Sequence, residues 1–426
     1  MDQRYKLVQG SGVAEPVSAA PRDLALKPST PDLPPPDAEA RIPLVALLTV
    51  PKLSYETADG ERRTLPIGKD KPLLLNLWAS WCRPCLAELA EFSQREQDVR
   101  KAGIDVLALS VDGLGKDSSD PAAAGKILQA LNFPFPTGRA TTELVEMLQT
   151  MHDRLIAMHP PLPVPTSLLI DGGGRLAVIY RGPVSVDQLL EDVSHSSQSL
   201  LDRFEASAAL PGQIIRDEVI EDDLLAAEWN TRLLFGMALQ ERSRLADAEK
   251  QFVEILKVAP NVAEVYTNLG NVIFEQGRHA DAQRQWERAL ELKPDQADAH
   301  NSLGVFYTVQ GHAARARHHY QRAIDIRPDY LEAQNNLAWL LATCSDAKVR
   351  DGARALELAK RAVEQTEYER AGTLDTLAAA YAANGQFEEA VRWQQKAVQV
   401  AKGQYKAKLA VRLKLYQQGQ PYRASN

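Results

Sequence analysis

Two cysteines stand two residues apart in WCRPC, Trp81 to Cys85, directly after the apolar run LLLNLW, Leu73 to Trp78. A thiol pair at that spacing can close on itself, exchange with another disulfide, or supply half of a four-ligand metal site. The helix-like segment that follows favours exchange. At a helix start the free backbone N–H groups and the positive end of the dipole stabilise a thiolate. Arg83 adds a positive charge, and Pro84 suits a first helical turn, where its missing N–H costs nothing. Strand, C-x-x-C, helix therefore assigns Cys82 as the exposed attacking thiol and Cys85 as the more buried resolving thiol. A zinc site needs two further ligands at suitable spacing. The third cysteine, Cys344, is remote in the chain, and neither His152 nor His159 forms a recognisable pair with it. The adjacent His318 and His319 point to different faces of a helix and make a poor metal pair. Thiol exchange calls for no cofactor and no metal.

The totals narrow the setting. The 426 residues carry a formal net charge of −7, with 25% charged and 45% apolar residues, as in an ordinary globular protein. Nothing in that balance points to nucleic acid, and no basic run points to a membrane surface. No stretch approaches the length of a spanning helix. Three cysteines cannot build a structural disulfide framework. The opening MDQRYKLVQGSG has charges with no apolar core behind them, so it does not read as a signal peptide.

The elements around the pair follow from apolar patterning. Residues 1–41 are rich in Pro and Ala, with PDLPPPD at Pro31 to Asp37, and read as a disordered linker. Over 42–200, short apolar runs alternate with helical segments, the mark of an α/β domain. Leu73 to Trp78 reads as a strand buried on both faces, Leu86 to Arg100 as a helix, and Ile104 to Asp112 as a second buried strand. Helices are expected at Ala122–Leu131, Thr142–Met158 and Val186–Val193. Ser167 to Gly182 reads as an antiparallel hairpin turned by three glycines.

After a linker at 201–225, residues 226–426 repeat. Pro260, Pro294 and Pro328 are 34 residues apart, as are Gly236, Gly270 and Gly304, and Ala248, Ala282 and Ala316. Phe252, Trp286 and Tyr320 keep the same step. Small residues where two helices cross, with a proline after the second, resemble the tetratricopeptide repeat. A fourth unit has Ala338 in the glycine slot and about five extra residues near Cys344–Gly352; a fifth holds Ala378, Gly385 and Ala390. Tyr405–Gln417 is expected as a C-terminal cap helix, which such a solenoid requires. Cys344 reads as a small buried hydrophobe.

WASWCRPCLAE together with VPTSLLID resembles the thioredoxin superfamily, and within it the TlpA/ResA-type exported reductases, over about Pro51–Val193. The resemblance implies a central mixed sheet flanked by helices, with a cis Pro165 facing the cysteines. Backbone groups of Val164 would then meet an incoming peptide by strand addition. Cytoplasmic thioredoxins carry a buried Asp six residues before the first cysteine, where this chain has Asn76. TlpA/ResA-type proteins instead have a Glu three residues after the second, where Glu88 stands. By that resemblance Glu88 takes the resolving thiol's proton. The implied catalytic set is Cys82, Cys85, Glu88 and Pro165. The implied substrate contacts are Trp81, Arg83, Pro84, Val164 and Thr166.

The expected architecture is thus an α/β thioredoxin-like domain followed by an all-α tetratricopeptide solenoid. The expected function is thiol–disulfide exchange on a protein or peptide disulfide, with a protein partner docked on the concave face of the repeats. A peroxiredoxin-like peroxidase is the nearest rival, but its threonine three residues before the cysteine is here Ala79. A scaffold with an inert redoxin domain is the rival from another class. The family resemblance implies an extracytoplasmic, bacterial location, while a cytoplasmic one stays open. DQRYKLVQG, Asp2–Gly10, also resembles the closing segment of an ASPIC/UnbV module, which implies a longer exported polypeptide.

Overall fold

The computed structural model describes residues 40–114, 119–156, 161–207 and 218–424. Most of the N-terminal linker, the ASPIC/UnbV-like segment, His159 and residues 208–217 of the second linker lie outside the described residues. Backbone packing divides the chain into two units, with the boundary between Gln251 and Phe252.

The first unit is built on strands β1 (Ala40–Thr49), β2 (Ser54–Glu56), β3 (Arg62–Thr64) and β4 (Leu73–Trp78). Helices α1 (Arg83–Gln94) and α2 (Glu96–Lys101) lead to β5 (Asp105–Ser110). Then follow α3 (Pro121–Ala130), β6 (Thr137–Arg139), α4 (Thr142–Leu155), β7 (Thr166–Ile170), β8 (Arg175–Arg181) and α5 (Val186–Asp192). The strands form one mixed sheet in the order β1-β8-β7-β4-β5-β6-β2-β3. All six residues of β4 are buried, as its continuous apolar run requires. It runs parallel to β5 and antiparallel to β7, with Asn76 opposite Ser167. The hairpin β7–β8 turns where Gly174 takes φ +82 and its N–H donates to Asp171 O at 2.9 Å. Edge strand β1 pairs antiparallel with β8.

Two expectations change in detail. The single helix expected over 86–100 is two helices, because Arg95 leaves helical geometry at φ −107, ψ 26. Its side chain turns to Asp98 at 2.8 Å and also pairs with Asp187 of α5. Where a linker was expected at 201–225, α6 (Leu200–Ser207) and the start of α7 (Glu218–Glu241) are helical. Arg203 ties the two helices to the sheet: its side chain donates to Val45 O of β1 at 3.0 Å and pairs with Glu228 of α7 at 3.0 Å. Helix α8 (Leu245–Val258) begins in this unit, where Gln251 Nε2 donates to Thr49 O at 2.7 Å.

The second unit continues from α8 as antiparallel helix pairs. These are α9 (Ala263–Glu275) with α10 (His279–Leu292), and α11 (Ala297–Val309) with α12 (Ala313–Ile326). Next come α13 (Leu331–Thr343) with α14 (Gly352–Gln365), α15 (Ala371–Ala383) with α16 (Phe387–Val400), and α17 (Gly403–Gln417). The glycine slots are tight. A Cβ on Gly270 would stand 2.5 Å from the Trp286 ring, and one on Gly304 2.4 Å from the Tyr320 ring. In the fourth repeat Ala338 fills that slot and Ala359 stands where the ring would be, so a methyl group replaces part of the missing aromatic.

Candidate active site

The pair lies where β4 hands over to α1. Cys82 is the helix N-cap, in extended geometry, and Cys85 N–H points at its Sγ from 3.2 Å. Pro84 lies in the first turn, as its fixed φ allows. The two sulfurs form a disulfide, with Cα atoms 5.3 Å apart. Cys82 is 4% exposed and Cys85 0%. The order of exposure is as expected, but Cys82 is not an open side chain in this disulfide. Its sulfur is drawn over the first turn and against Val164, whose carbonyl oxygen is 3.6 Å away. The Val164–Pro165 bond is cis.

The turn before Cys82 is pinned by a carboxylate. Asp112, two residues beyond β5, accepts from Ser80 N at 3.0 Å and from Ser80 Oγ at 3.0 Å. Ser110 Oγ and Ser119 Oγ also donate to it, at 2.7 and 3.1 Å. Trp81 consequently projects from that turn, 58% exposed, with Arg83 and Pro84 exposed beside it. Thr166 is buried, and its hydroxyl donates to Pro163 O at 2.6 Å. That hydroxyl faces its own loop.

One turn beyond Cys85, α1 buries a carboxylate. Cys85, Glu88, Leu89 and Phe92 are the buried stripe of this helix, spaced as one face demands. Glu88 is 2% exposed. Its Oε2 accepts from Asn76 Nδ2 at 2.8 Å, and its Oε1 accepts from Val184 N at 3.0 Å and Ser167 Oγ at 3.4 Å. Asn76 Nδ2 also donates to Ser167 Oγ at 2.8 Å, while Asn76 Oδ1 has no hydrogen-bond partner among the described residues. Burial pushes the Glu88 carboxyl up to about 7, overcoming the hydrogen bonds that favour its charged form; nearby Glu91 adds to the rise. A carboxyl so poised can accept and return a proton near neutrality.

The structure thus brings Cys82, Cys85, Val164 and Pro165 together and sets Glu88 beneath them on the same helix. Sequence reasoning missed the donors that hold Glu88: Ser167, Val184 N–H and the Asn76 amide. Ser167 carried a signal, since it stands two residues past Pro165, the spacing that puts side chains on one side of an extended segment. Asp112 carries no such signal in the sequence, where it only closes the apolar run Ile104 to Asp112.

Comparison with known proteins finds separate matches in the earlier and later parts of the chain. The AhpC/TSA family model matches residues 48–179. Tetratricopeptide-repeat models match 233–282, 274–330 and 370–402. The thiol-disulfide oxidoreductase ResA of Bacillus thuringiensis subsp. konkukian is 25% identical over 142 residues, covering 33% of this chain and 72% of that protein. ResA of Geobacillus thermodenitrificans is 22% identical over 141 residues, with coverage of 33% and 72%. Among solved structures, a thiol:disulfide interchange protein of the thioredoxin family from Chlorobium tepidum TLS is 23% identical. It covers 35% of this chain and 94% of its own at a TM-score of 0.29. YrrB, described as a TPR protein with an unusual peptide-binding site, is 21% identical, with coverage of 46% and 96% and a TM-score of 0.34.

Proposed function

We propose that this chain, a thioredoxin-like redoxin domain joined to tetratricopeptide repeats, is a thiol–disulfide oxidoreductase acting on protein disulfides. The observation that carries the reading is the Cys82–Cys85 disulfide at the mouth of α1, against the Val164 carbonyl and above buried Glu88. In the reduced form, the Cys85 N–H and the α1 dipole favour the Cys82 thiolate. That thiolate attacks one sulfur of a substrate disulfide, and the other leaves as a thiolate. The Cys85 thiol passes its proton towards Glu88 and attacks Cys82 Sγ. The substrate leaves with two thiols, and the pair is left oxidised. Trp81 and the Val164 carbonyl are the groups offered to the bound peptide, with Arg83 and Pro84 at the rim. Thr166 serves by holding the Pro163–Pro165 loop.

A peroxidase reading is weaker, because Ala79 supplies no hydroxyl beside the pair. The repeats are proposed to dock a protein partner on their concave face. The TlpA/ResA-type resemblance supports an extracytoplasmic setting. Among the described residues no helix is long and apolar enough to cross a membrane.

The test is insulin reduction with dithiol as donor. Cys82→Ser abolishes turnover, whereas Cys85→Ser accumulates a mixed disulfide visible on non-reducing gels. Full activity in Cys82→Ser overturns the proposal, and peroxide turnover by the parent chain revives the rival.

A further inference from the structure

One repeat ends its first helix differently from the others. After α9, Gly277 at φ +84 turns the chain, so that Gly277 N and Arg278 N return to Phe274 O and Ile273 O at 2.9 and 3.1 Å. Gly311 and Gly385, both at positive φ, follow α11 and α15 in the same way. The equivalent residue after α13 is Ser345, and the extra residues of the fourth repeat begin there. The final carbonyls of α13 need other donors. Asp351 N serves Leu341 O at 3.1 Å. Ala342 O and Thr343 O are served by the segment that follows α17: Arg423 Nη1 donates to the first at 2.9 Å, and Ala424 N to the second at 2.9 Å.

Beside these carbonyls stands a large ring. Position 339 is Trp, where the 34-residue step has Asn271 and Val305. The Tyr422 ring packs on Trp339 with centroids 5.7 Å apart. The Arg412 guanidinium lies over both rings, at 5.4 and 5.3 Å. Arg412 is itself fixed by a two-point ion pair with buried Asp375, at 2.8 and 2.9 Å. The acceptor side is therefore rigid and largely buried, whereas Tyr422 and Ala424 are only half-buried and Arg423 is exposed.

We propose that Trp339, Arg412 and the Ala342 and Thr343 carbonyls form a recognition surface for a peptide bearing an aromatic–arginine pair. In the resting chain, Tyr422–Arg423 fills it as a strap that a partner's segment must displace. The inference deepens the docking role proposed for the repeats. The ring shelf takes the aromatic, the carbonyls take the guanidinium, and the next backbone N–H completes a short extended contact. A segment held by surface contacts, without entering the core, exchanges readily.

The probe is a fluorescein-labelled peptide, Gly-Gln-Pro-Tyr-Arg-Ala, copying Gly419–Ala424, titrated into full-length protein and followed by anisotropy. The parent chain binds it at least about tenfold more weakly than Tyr422→Ala/Arg423→Ala, since a tethered competitor acts at a roughly millimolar effective concentration. Arg423→Gln alone lies between the two and leaves every buried residue in place. Adding Trp339→Ala to the double variant abolishes binding. Equal binding by parent and double variant overturns the strap, and absence of binding by both overturns the surface. A parent chain that sediments as a dimer, and becomes monomeric in the double variant, overturns the intramolecular occupant in favour of a tail exchanged between copies. Insulin reduction in the same samples stays at the parental rate, which separates failure of this inference from failure of the redox proposal.

Discussion

Glu88→Gln removes one titrating group and leaves its volume. The carboxyl rises from 4.5 to about 7, chiefly because burial disfavours its charge. At about 1.4 kcal/mol per pH unit, that rise corresponds to roughly 3 kcal/mol. Below pH 4.5 folded and unfolded chains both hold the proton, and no penalty exists. Between 4.5 and 7 the unfolded chain releases it first, so the folded state loses stability as the pH rises. Above 7 the loss is complete. The substituted amide titrates nowhere, so the variant gains roughly 3 kcal/mol on the parent across that window. It is accommodated by rotating Asn76, whose Oδ1 has no hydrogen-bond partner among the described residues and can accept from it. The assay is urea unfolding of both oxidised proteins at several pH values, the sheet unit being read by pulsed hydrogen exchange at β4. A stability difference that stays constant from about pH 4 to about pH 8 refutes the reasoning. The same variant resolves the mixed disulfide about a hundredfold more slowly, as loss of a general base does.

Two further predictions rest on packing. Asp112→Ala removes the acceptor shared by Ser80 N–H and three hydroxyls, costing about 2–3 kcal/mol in a thermal melt. It also lowers insulin turnover by loosening the turn before Cys82; a variant as stable as the parent contradicts this. Gly304→Ala drives a Cβ to 2.4 Å from the Tyr320 ring and costs about 1–3 kcal/mol in the repeats. Gly304→Ala/Tyr320→Ala, which copies Ala338 and Ala359, costs less than the two changes added; strict additivity in a double-mutant cycle excludes the steric account.

What the sequence made legible is what declares itself locally. An unbroken apolar run marks β4, three glycines mark the hairpin, and a 34-residue step marks the repeats. Each is a short-range consequence of side-chain period or backbone freedom. Edge strand β1 was not singled out, since its partner β8 lies far along the chain and its pairing shifts register between Pro43 and Leu48. The burial of Glu88 was half legible: Cys85, Leu89 and Phe92 define a stripe that includes position 88. Its partners were not, because Ser167 and Val184 arrive from 79 and 96 residues away. The corner at Trp339 was hidden for the same reason, with Arg423 arriving 81 residues after the carbonyl it serves.

Asn76 and Glu88 are best understood as one pair. A carboxylate placed at 76 would face the Glu88 carboxylate across a 2.8 Å contact, and two such groups cannot both ionise there. An amide at that place turns repulsion into a hydrogen bond and still completes the β4–β7 register through Ser167. The buried carboxyl therefore belongs to the helix that Cys82 caps and that carries Cys85, one turn past it, and the strand behind supplies only donors. Any motion of α1 carries Cys85 and the Glu88 carboxyl together, so their separation is set within one helix and not between two elements.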